Sequence, residues 1–273
     1  MTANTILEED RLIARERFDD VAPAGMIQFR NIAPPRQNAK PLPGDNQVVR
    51  ALRQNRWFRG LPLEVVNELV PALRLRRYGE EELVHAKYEE STSLYCVVTG
   101  GLRASSISLE GEESVFAFWG VGSWIGLGGL LDGQARALDI RTCQETLLAT
   151  LGRRDFHILL KKHPILYKHF ALQMCAIARA AFAAIEDEAT LPLRARLAKR
   201  IVALADTYGR THREGTLIEL HLPQQALASL LHASRATVNK TLVGWKHRRW
   251  IDMHYGTIIV KKRAALENLY VVR

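Results

Sequence analysis

The sequence predicts an α+β chain in three parts: an N-terminal β-roll, a long connecting helix and a C-terminal winged helix-turn-helix. Three observations carry that expectation. Between about residues 75 and 151, short apolar runs alternate with glycine turns, and short strands at roughly 8–12-residue spacing build a barrel or roll. Residues 164–187 then place apolar side chains three and four apart without a break. Finally, residues 190–273 combine a strong positive charge with two short helical patterns separated by a tight turn.

Composition narrows the classes first. A chain of 273 residues with 47% hydrophobic content supports two packed domains plus extras. No apolar run approaches the roughly 20 residues that span a bilayer. The start of the chain, Met1 to Asp10, is acidic, where a secretory signal is basic and then apolar. We therefore expect a cytoplasmic protein with no membrane partner. Cys96, Cys143 and Cys175 are odd in number, far apart and set in apolar segments, which predicts buried thiols. No CxxC pair offers a metal or cluster site, so no metal and no cofactor are expected. The charge is uneven. Residues 190–273 hold 15 Lys+Arg against 5 Asp+Glu, and the other 189 residues hold 23 against 24. The whole positive excess lies in the last third, which points to a polyanion, nucleic acid being the commonest. A solvated basic surface is the plainer alternative.

Taken in order, residues 1–47 form an arm or linker. A short amphipathic helix fits Ile6, Leu7, Ile13 and Phe18, and Pro23, Pro34, Pro35, Pro41 and Pro43 follow; such a stretch is a tether rather than a core element. Residues 48–161 form the β-roll domain. It opens with a helical segment to Leu73 that is interrupted at Pro62. Strands are expected at 83–84, 94–98, 102–107, 115–119, 124–125, 138–140 and 146–151, and Asp155 is placed to cap a short helix. Residues 162–189 form the long helix, with Pro164 in its first turn. Tyr167, Phe170, Met174, Ile177, Ala181 and Ala184 make a heptad-like stripe suited to a dimer seam. The alternative is that this stripe packs on the chain's own roll, but about 24 residues span roughly 36 Å, longer than a small roll covers. Residues 190–273 form the winged domain: a helix over 193–208, a loop over 209–215 and a short strand over 216–222.

The segment that carries the functional expectation begins at Leu222-Pro223-Gln224. A first helix over 224–231 turns Leu227, Leu230 and Leu231 inward and places the small Ala228 at the helix crossing. His232-Ala233 makes the turn, and Ser234 caps a second helix. Val238, Leu242 and Trp245 lie on its buried face. Arg235, Ala236, Asn239 and Lys240 point outward near its N-terminus, the end of a recognition helix that meets base edges. Arg235 suits guanine O6 and N7. Lys240 suits the same atoms or a phosphate. Ser234 and Thr237 suit phosphate oxygens, Asn239 suits adenine, and Gln224 starts the first helix beside them. Residues 250–260 read as two strands joined through His254, Tyr255 and Gly256, a wing. Lys261, Lys262 and Arg263 follow it and can touch the DNA backbone. Arg248 and Arg249 serve either phosphate or the helix C-terminus. The expected partner is double-stranded DNA.

These segments, in this order, resemble the Crp/Fnr superfamily of transcription regulators. The resemblance runs from about Val48 onward and is sharpest at 94–102, 126–141 and 222–242. It implies a β-roll of the cyclic-nucleotide-binding type, a homodimer reading a near-palindromic site, and contact with RNA polymerase. Ser-Arg-x-Thr-Val at 234–238 matches the family's recognition helix, although Ala236 stands where a glutamate is frequent and His232 stands where glycine is favoured. The family's phosphate cassette pairs a Gly-Glu with a later Arg-Ser or Arg-Ala. Here Gly126, Arg136 and Ala137 remain, but Leu127 replaces the glutamate, and the adenine-contacting hydroxyls of the long helix fall at Ala181 and Phe182. A pocket without those partners strips water from the ligand's polar groups and returns nothing. The effector site is therefore expected at Gly126, Leu127, Arg136 and Ala137, with a small-molecule effector that is unidentified and is not cyclic AMP. Arg136 either binds an anion or pairs with Asp132 or Asp139. A cyclic-nucleotide-dependent activator of the same fold is the alternative. An enzyme is not expected, since there is no phosphate loop, metal motif or Ser/His/Asp spacing.

Overall fold

The computed structural model describes residues 47–271; but for Gln47, the arm expected over residues 1–47 lies outside them. The helical segment before the roll is three helices, α1 (Gln47–Gln54), α2 (Arg56–Arg59) and α3 (Leu63–Ala72). Pro62 sits at the N-cap of α3, where a missing N–H does least harm, and Pro71 lies one residue before its end, where the missing N–H helps to stop the helix.

Eight strands follow: β1 (Arg74–Tyr78), β2 (Leu83–His85), β3 (Ser93–Thr99), β4 (Leu102–Ile107), β5 (Glu113–Trp119), β6 (Trp124–Ile125), β7 (Asp139–Thr142) and β8 (Thr146–Gly152). They form two antiparallel four-stranded sheets, β1-β8-β3-β6 and β2-β7-β4-β5. Strand β1 was not foreseen. Its sequence Arg-Leu-Arg-Arg-Tyr leaves four of five residues exposed, so it lacks the apolar alternation that marks a strand. It is an edge strand paired only with β8, and charged residues suit an edge. Strand β3 is buried on both faces. Tyr95 and Val97 join the interior between the sheets with Tyr78, Leu102, Ile140 and Leu148. Leu94, Cys96 and Val98 join a second core beneath the helices. Between β6 and β7 lies a short helix, α4 (Leu127–Asp132). After β8 comes α5 (Arg153–Lys162), in which Asp155 stands inside the first turn and Gly152 is the cap. Asp155 thus meets the helix dipole instead of capping, as had been expected.

The long helix α6 runs Ile165–Thr190, 26 residues or about 39 Å. Its contacts engage part of the expected seam within the chain itself. Phe170 is buried in the chain's own core beside Phe156, their rings 5.4 Å apart, and Met174 packs partly on the same core. Ile177 and Ala184 are half-buried, whereas Tyr167 and Ala181 are exposed. The exposed apolar stripe instead runs Tyr167, Ala171, Cys175, Ala178, Phe182 and Ile185. It is rotated by about one residue, 100°, from the expected one. Both stripes have the same period, and Phe170 and Met174 of the expected one pack on the chain's own core. Cys175, expected to be buried, is exposed on the free stripe, while Cys96 and Cys143 are buried.

Beyond the break at Leu191-Pro192 come α7 (Leu193–Tyr208), β9 (Gly209–His212) and β10 (Gly215–Ile218). The expected loop over 209–215 is thus mostly strand, because β9 pairs antiparallel with β10. Helices α8 (Gln224–Leu230) and α9 (Arg235–His247) precede strands β11 (Ile251–His254) and β12 (Thr257–Val260), and α10 (Arg263–Glu267) follows. The sheet order is β11-β12-β10-β9. Asp187 and Glu188 near the end of α6 pair with Lys199 (2.5 Å) and Arg196 (3.1 Å) of α7, tying the two helices at their junction.

The C-terminal part is packed directly on the roll. Val115, Phe118 and Cys143 share a core with Tyr208, Leu220 and Leu227. A Cβ on Gly120 would lie 2.4 Å from the Tyr208 ring, so only glycine admits that approach. The Tyr208 hydroxyl lies 3.1 Å from Ser123 Oγ, and the His221 N–H donates to Gln144 (2.9 Å). Ser229 of α8 bridges the edge strand β5, donating to Glu113 O (2.6 Å) and accepting from Val115 N–H (2.9 Å).

Candidate nucleic-acid interface and the roll interior

Helices α8 and α9 cross at Ala228, which is fully buried. Its carbonyl accepts from the N–H groups of Leu231 and Ala233, which closes the turn. His232 takes φ +49° there, the left-handed value that glycine adopts freely and histidine tolerates. Ser234 then caps α9. Its φ of −70° and ψ of 144° are extended, and its Oγ accepts from Thr237 N–H at 3.2 Å and meets Thr237 Oγ1 at 2.8 Å. Val238, Leu242 and Trp245 are buried, as their spacing demands. The opposite face presents Arg235, Ala236, Thr237, Asn239 and Lys240 to solvent. Neither Arg235 nor Lys240 makes an ion pair with another described residue. The arrangement is therefore an exposed helix end with two uncompensated cations, a hydroxyl-lined cap and an amide. Gln224 is half-buried as the first residue of α8, behind Pro223.

Other basic residues have partners within the domain, Lys261 first among them. Its ammonium lies 3.0 Å from Asp252 and 3.2 Å from Glu214. Those carboxylates raise its pKa, and Lys261, with the Met253 N–H and Lys246, holds Asp252 far below the usual carboxylate range. Two carboxylates thus compensate the charge of Lys261. Arg263 is likewise engaged by Asp206 and Glu267. Arg248 and Arg194 place their guanidinium groups 5.4 and 5.9 Å from the Trp250 ring, while Arg249 and Lys262 remain exposed.

Inside the roll, Arg136 is only 4% exposed. Its guanidinium donates to Ser93 O (2.6 Å) and Gly126 O (3.2 Å) and lies 5.5 Å from the Tyr95 ring centre. Gly126 has φ +90°, and a Cβ there would sit 2.3 Å from the arginine. The two expected carboxylate partners are not used: Asp132 accepts from Gln134 N–H and Asp139 from Lys87 N–H. Leu127 is buried in the core under the helices, and Ala137 is exposed. Neither of them joins Arg136 in the interior. The residues that do were missed. His85 is buried against Tyr95, ring centres 6.0 Å apart, with both ring nitrogens unpartnered. Burial first, and the charge of Arg136 second, lower its pKa to about 4. Ser91 Oγ and Arg136 Nε are buried without partners as well. Period-2 alternation along β2 and β3 was the one available signal for His85 and Tyr95; none existed for Ser91.

Comparison with known proteins matches this geometry. Residues 195–269 match the Crp-like helix-turn-helix domain, and residues 75–163 match the cyclic nucleotide-binding domain. The chain is 25% identical to the cAMP-activated global transcriptional regulator CRP of Haemophilus influenzae, over 68% of this chain and 83% of that one. It is also 25% identical to the cyclic AMP receptor protein of Thermus thermophilus, over 78% and 95%. Among solved structures, FixK2 from Bradyrhizobium japonicum superposes with a TM-score of 0.65 at 17% identity, covering 74% of this chain and 98% of that one. With both domains matched in the family's order, the chain belongs to the Crp/Fnr family of helix-turn-helix transcription regulators.

Proposed function

We propose that the chain works as a homodimer on a near-palindromic DNA site, in the cytoplasm and without catalytic activity, and that cyclic AMP is not its controlling ligand. The observation that carries the DNA reading is the exposed start of α9, where Arg235 and Lys240 face solvent with no ion pair among the described residues. Arg235 reads guanine, and Lys240, Ser234 and Thr237 hold the backbone. The dimer forms along the exposed stripe of Tyr167, Ala171, Cys175, Ala178, Phe182 and Ile185, whose run of small residues at 171, 175 and 178 lets two helices approach closely between larger apolar side chains. Two copies related by a two-fold axis read two half-sites one helical turn apart. RNA polymerase is the further partner this role implies.

The ligand reading rests on the cassette. Leu127 is buried in the core where the family's cyclic-nucleotide binders place a glutamate, and Ala181 and Phe182 offer no side-chain hydrogen bond. A cyclic-nucleotide-dependent activator is the second reading. What favours it is that Gly126 and Arg136 are retained and that relatives are named as cAMP-activated. Gel shifts on the chain's own genomic fragments, ligand-free and at two salt concentrations, test DNA binding; Arg235→Ala costs about 1–3 kcal/mol on a specific site and blurs one base position. Isothermal titration decides between the ligand readings: micromolar binding of cyclic AMP or cyclic GMP overturns the first.

A further inference from the structure

We propose that the far end of α9, away from the bases, is a docking surface for a second partner, an acidic polypeptide segment held by Arg194, Arg248, Arg249 and Lys262 around Trp250. The inference goes beyond the DNA-binding reading and adds a separate surface to it. All four cations are exposed, and none makes an ion pair with a described residue. Nothing in the domain is left to neutralise them. Residues 190–273 hold five acidic residues, and every one is already paired, with Arg210, Lys261 or Arg263. Like charges gathered without a counter-charge repel one another, and a partner of opposite sign relieves that repulsion.

The cluster is also held in place. Arg248 caps α9 and Arg194 lies in the first turn of α7, yet their guanidinium groups stand 5.4 and 5.9 Å from the same Trp250 ring. That ring is anchored. It stacks on the buried Trp245, centres 6.5 Å apart, and the Trp250 carbonyl accepts from the N–H groups of Lys261 and Lys262, both at 2.9 Å. The macrodipole of α9 favours Arg248 and Arg249, but that of α7 opposes a cation at Arg194. Arg249 takes φ +57° just past the helix, where glycine is the easy residue. Position then decides the kind of partner. Helix α9 has 13 residues, about 20 Å, so the cluster lies a helix length from Arg235, whose end meets the bases. Guanidinium groups anchored over a ring suit carboxylates, which they can take bidentately. Adjacent Arg248 and Arg249, with Arg194 across the ring, fit consecutive Asp and Glu side chains.

The test uses the full chain and a fluorescein-labelled peptide of alternating Asp and Glu, with an Asn-Gln peptide of equal length as the neutral control. Anisotropy at about 0.15 M salt should show binding of the acidic peptide alone. Arg249→Gly removes one cation and suits the left-handed backbone, so it is expected to melt at or above the temperature of the unmodified chain. It should weaken the peptide several-fold, and Arg248→Ala with Arg249→Gly by about tenfold. A duplex enriched from a random library by the chain itself should bind both variants within about twofold of the unmodified chain, with the same salt slope. At saturation that duplex should not displace the peptide. Removing as much charge from the roll, by Arg74→Ala with Arg77→Ala, should leave peptide binding unchanged. The proposal is overturned if the acidic peptide does not bind, or if only variants that melt lower lose it. It is overturned too if the roll variant loses as much, which shows general attraction to a basic chain. Displacement by the duplex, or a smaller salt slope in the α9 variants, also overturns it, because the cluster is then part of the DNA-facing surface.

Discussion

Replacing Ser229 with alanine tests whether the helix-turn-helix is clasped to the roll through the edge of β5. The hydroxyl makes two hydrogen bonds across the boundary, to Glu113 O and from the Val115 N–H. Glu113 is exposed and water can replace its lost donor, but Val115 is 1% exposed. Its amide is left unsatisfied, at a cost of about 1–3 kcal/mol. Alanine is the better helix former and returns about 0.5 kcal/mol within α8, so the net loss is about 1.5 kcal/mol. That is about a tenfold rise in the opening equilibrium of β5. Hydrogen exchange reads it directly: the amides of 113–119 should exchange about tenfold faster, while those of β3, 93–99, serve as the internal reference and stay unchanged. Unaltered exchange at Val115 refutes the clasp. An equal rise in β3 refutes it too, because the effect is then global.

On the free stripe of α6, Phe182→Asp or Ile185→Asp should yield monomers by light scattering without loss of the melting transition, since both side chains are exposed in one copy. Ile177→Asp should lower the melting temperature as well, because Ile177 is half-buried beside that stripe. His85 makes stability fall on acidification. Its imidazole titrates at 6.5 when unfolded and at about 4 when folded, so unfolding takes up a proton between those values. The loss grows as pH drops from 6.5 to 4, to about 3 kcal/mol at most, and His85→Gln should remove it from urea midpoints measured against pH. Lys261→Ala should leave the salt slope of DNA binding unchanged, whereas Lys240→Ala should reduce it by about one; equal slopes would show that Lys261 reaches a phosphate after all.

The sequence by itself determined the parts whose signals are local. A strand such as β4, with turn glycines beside it, is a short-range pattern, and Leu102–Ile107 was recovered to the residue. The recognition helix was equally legible, because Ser234 caps it through its own neighbour Thr237 and the 238-242-245 spacing defines its inner face within a few turns. Tertiary structure decided whatever depends on which of two equivalent faces is covered, or on partners far away in the chain. The long helix carries two apolar stripes of one period, and only the roll's contact with Phe170 shows which remains free. Lys261 belonged by sequence to a basic cluster, yet the wing sheet brings Asp252 and Glu214 against it. Arg136 had plausible carboxylates nearby in sequence but takes carbonyls from Gly126 and Ser93, the latter 43 positions away. Charge and periodicity are properties of a segment; compensation and burial are properties of what folds against it.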